Sequence, residues 1–407
     1  MRDRALRAIS ECKRIAQMSE EPDRVTRRFL TPPIRDVHAL LRSRMESLGM
    51  TVRIDAAGNL RGLWRTPAAH GKRLILGSHI DTVPNAGAYD GILGVTLALE
   101  WVILAQELNL SLPIEVIAFS EEEGVRFGVP FIGSRAVAGR FDPALLALKD
   151  VAGVTLAEAI RDFGLDPCQI DDAALNADVL GFVEMHIEQG PVLESEGLSV
   201  AAVSAIVGQT RLSLEFTGNA NHAGATPMNL RHDALACAAE WIGTVEAAAQ
   251  KTEGLIATVG KIDAEPNAAN VIAGAVRVSL DVRHADDHAR KGAVESLLAQ
   301  AQAIAIKRGL ALESTQQMDQ AAVPMDERLT AYLVDAIVAA HLPENRMTSG
   351  AGHDAMVMAA RVPAAMLFLR SPGGISHHPG ENVREEDVEA ALKVGCKFLE
   401  RLAAEVR

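Results

Sequence analysis

Four short apolar runs, RLILGSHI (73–80), IEVIAFS (114–120), VLGFVEMHI (179–187) and AAMLFLR (364–370), each give way to His, Glu or Arg. Such runs predict strands buried on both faces, as in an α/β sheet whose carboxyl edge gathers ligands. Between them, GILGVTLALEWVILAQEL (91–108) and REEDVEAALKVGCKFLERL (384–402) carry helical spacing, with Val388, Leu392, Leu399 and Leu402 on one side of the second. The texture changes near residue 211. RLSLEFTG alternates Leu212, Leu214 and Phe216, and VRVSLDVRH alternates Val276, Val278, Leu280 and Val282, as half-exposed antiparallel strands do. Helical stretches near 231–249 and 286–308 accompany them, and the α/β texture returns near VPMDERL. The pattern predicts an α/β domain with a central mixed sheet flanked by helices, split into 1–210 and 328–407. An α+β domain, 211–327, is inserted between the halves.

A length of 407 residues favours more than one domain, and 48% hydrophobic with 23% charged residues is the balance of a packed soluble protein. The net charge of −13, with no Lys/Arg cluster, argues against nucleic acid as a partner. No segment has membrane-spanning length, and charges interrupt the amphipathic N-terminus before a signal peptide's apolar core could form. Cys12, Cys168, Cys237 and Cys396 are scattered, as reduced thiols of a cytoplasmic protein would be.

The candidate chemistry lies at the predicted strand ends. GSHIDTVPNAGAYDGILG (77–94) sets His79, Asp81 and Asp90 among glycines directly after an apolar run, where uncompensated charge is costly. SEEEG (120–124), EMHIEQG (184–190) and ISHHPGE (375–381) repeat the theme. Imidazoles and carboxylates together suit zinc, manganese or a similar borderline cation. If its strand continues, Asp81 shares a face with His79 and can hold that ring's second nitrogen, while Asp90, after a glycine-permitted turn, is placed to bridge two cations. Spacing alone leaves the choice among Glu121, Glu122 and Glu123 open. Arg283 lies off the apolar face of its strand and could clamp a substrate carboxylate through two parallel hydrogen bonds.

In order along the chain, GSHIDTV…YDG, SEEEGVRF, MHIEQGPVLE, NHAGATPM, SGAGHDA and GGISHHPGE resemble the dinuclear-metal amidohydrolases of the hydantoinase/carbamoylase group, within the M20 peptidase-like family. The resemblance implies two divalent ions per subunit, zinc or manganese with cobalt or nickel admissible. It implies His79 and His186 on one ion, Glu123 and His377 on the other, and Asp90 between them. Counting back from Gly124 makes Glu122 the general base. His378, next to the aligned His377, is a departure from the usual single histidine. The resemblance further implies that His222 stabilises an oxyanion in the other subunit of a homodimer, so that the inserted domain is a lid and dimerisation domain. Gln189, Gln209, Asn270 and Gly352 match its polar and close-approach substrate contacts. The implied reaction is hydrolysis of a linear ureido or carbamoyl C–N bond next to a carboxylate. Allantoate leads among small-molecule substrates, N-carbamoyl-L-amino acids and β-ureidopropionate are alternatives, and an M20 dipeptidase, an aminoacylase or a non-catalytic metal-binding paralogue stand behind them.

Overall fold

The computed structural model describes residues 1–66 and 71–406 and divides them into two compact units, 1–204 with 325–407 and 205–324. The division falls earlier than the boundaries at 211 and 327 that strand texture suggests. The reason is that the crossing segments are themselves strands, Val200–Ile206 and Val323–Pro324, which pair antiparallel at Ile206 and Ala205.

In the first unit the strands are β1 (Thr51–Ile54), β2 (Leu60–Trp64), β3 (Arg73–His79), β4 (Ile114–Phe119), β5 (Val179–Ile187) and β6 (Val200–Ile206), followed by Arg346–Ser349 and Ala364–Leu369. The sheet order is β1, β2, β4, β3, β5, Ala364–Leu369, β6, with the central four strands mutually parallel and the flanking pairs antiparallel. Those four parallel strands are the four apolar runs. β3 and β4 are buried along their whole length because helices cover the sheet. Their carboxyl ends therefore share one edge, which brings His79, the residues after Phe119, His186 and the segment after Leu369 together.

The helix α1 (Arg2–Ala16) packs through Ala5, Ala8, Cys12 and Ile15, and α2 (Pro32–Ser47) starts with proline at its first position. The helix α3 (Ile92–Glu107) is apolar nearly all round, as a helix enclosed by the core must be. The C-terminal helix Glu385–Val406 buries Val388, Leu392, Leu399 and Leu402. Gly94 in α3 is required by close packing, since a Cβ there would lie 2.1 Å from the Met185 carbonyl oxygen.

The second unit is an antiparallel sheet with Gly208–Thr217 and Ala275–His284 at its centre, covered by helices Ala234–Lys251 and Asp287–Arg308. Its own core holds Leu212, Leu214, Phe216, Val276, Val278, Leu280 and Val282, the alternating set read from the sequence, with Trp241 from the helix Ala234–Lys251. No described helix is long and apolar enough to cross a membrane, and all four cysteines are unpaired.

Candidate metal centre

The strand β3 ends at His79, and the chain then turns through a glycine-rich loop to Asp90 at the entrance to α3. Gly91 makes that turn with φ 66°, and a Cβ there would sit 2.5 Å from the His79 ring. Only glycine permits both the backbone angle and the contact. The Glu381 carboxylate accepts from the backbone N–H of Tyr89 (2.9 Å) and of Asp90 (3.0 Å), fixing the loop that presents Asp90.

Asp90 divides its two oxygens. Oδ1 lies 3.1 Å from His186 Nε2 and 3.8 Å from His79 Nε2, whereas Oδ2 lies 3.2 Å from His377 Nε2. On the second side Glu123 Oε1 is 3.5 Å from the same His377 nitrogen. Two ligand triads result, His79 with Asp90 and His186, and Asp90 with Glu123 and His377, each with its donor atoms within 4.8 Å of one another.

The tautomers of the buried imidazoles follow from their partners. His79 Nδ1 faces the Asp81 carbonyl oxygen at 3.0 Å, and His186 Nδ1 faces the Ile187 carbonyl oxygen at 2.9 Å. A carbonyl only accepts, so each Nδ1 carries a proton, and in the neutral ring Nε2 presents a lone pair. The two Nε2 atoms are 3.4 Å apart and converge with Asp90. Two neutral imidazoles and a carboxylate converging on one point suit a cation between them, and imidazole with carboxylate suits a borderline divalent ion. The cavity of about 200 Å³ beside them is lined by Glu122, Glu123, four imidazoles and Asp90, with no Lys or Arg among the described lining residues.

Electrostatics point the same way. Burial disfavours the His79 imidazolium, but Glu122, Asp81 and Asp90 outweigh it and hold its pKa well above the usual histidine range. Burial pushes Glu122 well above the usual carboxylate range, with Glu123 and Asp354 adding to the effect and His79 opposing it. Glu123 rises to about 7 through burial and its neighbour Asp90. An excess of negative charge is concentrated at this edge.

Geometry separates Glu121 from the other two acids. Glu122 and Glu123 line the cavity, and Glu122 Oε2 stands 4.0 Å from His79 Nε2. Glu121 does not line it and accepts instead from the Arg126 backbone N–H at 3.1 Å. His378 is exposed, its Nδ1 accepting from the Gly380 N–H at 3.0 Å, so it shapes the turn while His377 faces Asp90.

Two of the expected residues have partners of their own within the chain. Asp81 lies beyond the end of β3, and its main-chain carbonyl, not its carboxylate, is the closer partner of His79; Oδ1 is 3.6 Å away. The carboxylate accepts instead from the backbone N–H groups of Glu122 and Glu123 at 3.0–3.1 Å, holding the acidic loop. Arg283 does lie off the apolar face, but its guanidinium pairs with Asp281 on the same strand at 2.9 and 3.1 Å. Gln209, its register partner, reaches the same carboxylate at 2.5 Å. The strand's own periodicity brings Asp281 and Arg283 to one face, a pairing the clamp reading did not weigh.

Of the other substrate-contact candidates, Gly352 lines the cavity. Gln189, with φ 60°, turns its amide nitrogen onto both Asp90 oxygens at 3.2–3.3 Å and onto Ser376 Oγ at 3.1 Å. His222 and Asn270 belong to the second unit, where the short strands Asn221–His222 and Val271–Ile272 pair. His222 is exposed, and its Nδ1 accepts from the N–H groups of Gly224 and Ala225 at 3.1 Å, which leaves Nε2–H as an outward donor.

Further residues support the ligands, and to Glu184, Glu381 and Phe131 among them the sequence reading assigned no role. Glu184 ties three elements together, accepting from Ser78 Oγ on β3 and from the Ala355 N–H, both at 2.8 Å. His353 packs its ring 4.5 Å from that of His186 and meets Ser349 Oγ at 2.9 Å. Phe131, in left-handed backbone at φ 67°, walls the cavity without any motif to announce it. Glu184 and Glu381 do fall inside acidic motifs, the one signal that could have found them.

Comparison with known proteins agrees in length and fold. The signature of peptidase family M20/M25/M40 matches residues 75–403. The chain is 36% identical to allantoate deiminase 2 of Glycine max, over 99% of this chain and 90% of that protein. It is 38% identical to an N-carbamoyl-L-amino acid amidohydrolase of Geobacillus stearothermophilus, over 91% of each. Its structure is similar to that of an amidase of the hydantoinase/carbamoylase family from Burkholderia multivorans, with a TM-score of 0.91 and 31% identity, covering 98% of this chain and 97% of that one.

Proposed function

The chain belongs to peptidase family M20/M25/M40, and from that premise we propose that it hydrolyses a linear ureido C–N bond beside a carboxylate, with allantoate as its substrate. The observation that carries this is the division of the Asp90 oxygens between two imidazole sets, with Glu122 on the cavity wall. His79, Asp90 and His186 would hold one divalent ion, and Asp90, Glu123 and His377 the second, zinc and manganese both suiting these donors. When bound, such a pair acidifies a water and polarises a carbonyl, which a ureido group, deactivated by two nitrogens, needs.

The chain's own residues do the rest. Glu122 Oε2 accepts the proton of the attacking water and passes it to the departing nitrogen, without which amine loss would be the bottleneck. The carboxylate of Asp81 holds Glu122 in place through the backbone of the loop. Gln189 and Gly352 contact substrate from the first unit. The outward Nε2–H of His222, with Asn270 beside it, suits a developing oxyanion, and we assign it to the active site of a second copy in a homodimer. Arg283 meets the substrate carboxylate once it exchanges its Asp281 partner, with Gln209 beside it.

A panel of allantoate, N-carbamoyl-L-methionine, β-ureidopropionate and a dipeptide, assayed after chelation and readdition of zinc, manganese, cobalt or nickel, tests the proposal. Allantoate should turn over fastest, and turnover of the dipeptide alone would overturn it. N-carbamoyl-L-amino acids are the second reading, favoured by the 38% identity to a relative of that name.

A further inference from the structure

At the amino ends of β3 and β4, on the sheet edge opposite the metal centre, a second cavity of about 280 Å³ opens between β1, β2 and the start of β5. Four arginines line it, Arg53, Arg61, Arg65 and Arg73, against two carboxylates, Glu115 and Asp178. The strands put them there. Arg53 on β1 is in register with Arg61 on β2, while Leu63, two residues on, is in register with Glu115 on β4, so these side chains share one face.

The inner part of this cluster is closed on itself. Glu115 accepts from Arg61 Nε at 2.8 Å through one oxygen and from Arg73 Nε at 2.6 Å through the other. Arg73 also meets Asn176 at 2.9 Å and Asp178 at 2.5 Å, and Arg61 reaches the Ala173 carbonyl at 2.6 Å. The carboxylates facing the cavity are thus already engaged.

Arg53 and Arg65 are different. Both are exposed at the cavity rim, and among the described residues neither has an ion-pair or hydrogen-bonding partner for its side chain. Four guanidiniums less two carboxylates leave a surplus of two positive charges among the lining residues, or one if Asp55, 3.7 Å from Arg61, is counted. This surplus stands in a chain whose net charge is −13.

We propose that this cleft binds a small multivalent oxyanion, held by the guanidinium forks of Arg53 and Arg65 over the Arg61–Glu115–Arg73 floor. Planar forks match carboxylate and phosphate oxygens two at a time, and a partly enclosed cleft strengthens each such bond. The site is independent of the metal centre and of the reaction proposed for it.

The test is titration calorimetry of the metal-loaded protein with inorganic phosphate and with succinate at constant ionic strength, potassium chloride serving as control. The expected result is saturable binding of phosphate or succinate, absent with chloride, that weakens at least tenfold in R53Q/R65Q and is retained in H377A. Phosphate alone would identify a phosphoryl ligand, succinate alone a dicarboxylate. Equal heats in all three salts, or saturable binding that survives R53Q/R65Q, would overturn the proposal. Both replaced side chains are exposed, and circular dichroism of the variant, with the single variants R53Q and R65Q each showing a partial loss, separates lost binding from lost fold.

Discussion

The two ends of β3 and β4 bury charge to the same degree and settle it in opposite ways. At the amino end, Arg61, Arg73 and Glu115 are exposed by 2%, 7% and 5%, and each finds an ionic partner within the chain. Burial would raise the Glu115 pKa, but Arg61 and Arg73 overcome it and hold the carboxyl below its ordinary value. At the carboxyl end His79, Asp90 and His186 are exposed by 2%, 2% and 1%, yet the described cavity around them holds no Lys or Arg, only the Gln189 amide as a neutral donor beside further imidazoles and carboxylates. There Glu122 is driven up instead of down. The lesson is that buried charge marks a site only where the chain has not supplied its own counter-charge.

The sharpest way to break this contrast is to remove the shared ligand. Asp90→Asn should abolish turnover and release both ions, measured by elemental analysis of dialysed protein; retention of two ions at full affinity would refute the bridging role. Glu122→Gln should lower kcat by about 10²–10⁴-fold while leaving metal content intact, the range for loss of a general base. A variant that kept its rate would show that the proton travels elsewhere.

The amino end should answer in stability instead of rate. Glu115→Gln leaves Arg61 with only the more distant Asp55 and Arg73 with Asp178, and breaking a buried ion pair from one side costs about 3–5 kcal/mol. Urea unfolding should report that loss with metal content unchanged. The smallest effect concerns His38, a buried imidazole whose pKa burial and then Arg42 and Arg35 lower to about 4. It is the converse of His79, equally enclosed but without carboxylates. Because the folded pKa lies below the unfolded value of about 6.5, the neutral ring's contribution is complete above pH 6.5. It is lost as the pH falls toward 4, by about 3 kcal/mol in total. His38→Leu should therefore flatten the fall of stability between pH 6.5 and 4, and an unchanged slope would contradict the assignment.

Much of this was legible before any coordinates. The four apolar runs become adjacent parallel strands because near-continuous hydrophobicity admits little besides burial on both faces, and their polar ends then must converge. The alternation of Leu212 to Phe216 and of Val276 to Val282 fixed the face each residue buries. What stayed hidden depends on contacts made at long range or through the backbone. Nothing local to Asp81 says that its carboxylate will cap the loop at Glu122 while its carbonyl accepts the hydrogen bond of His79 Nδ1–H. The role of Glu381 depends on a loop 291 residues away in sequence. Phe131 reaches the cavity through a left-handed backbone angle that no propensity predicts.

The claim on which the rest stands is that Asp90 joins two cations. A crystal structure of the protein reconstituted with zinc, with anomalous data collected at the zinc edge, measures this directly. The account predicts two peaks about 3.5–4 Å apart, one against His79 and His186, the other against Glu123 and His377, with one Asp90 oxygen on each. A single peak, or two peaks neither of which touches Asp90, would contradict it.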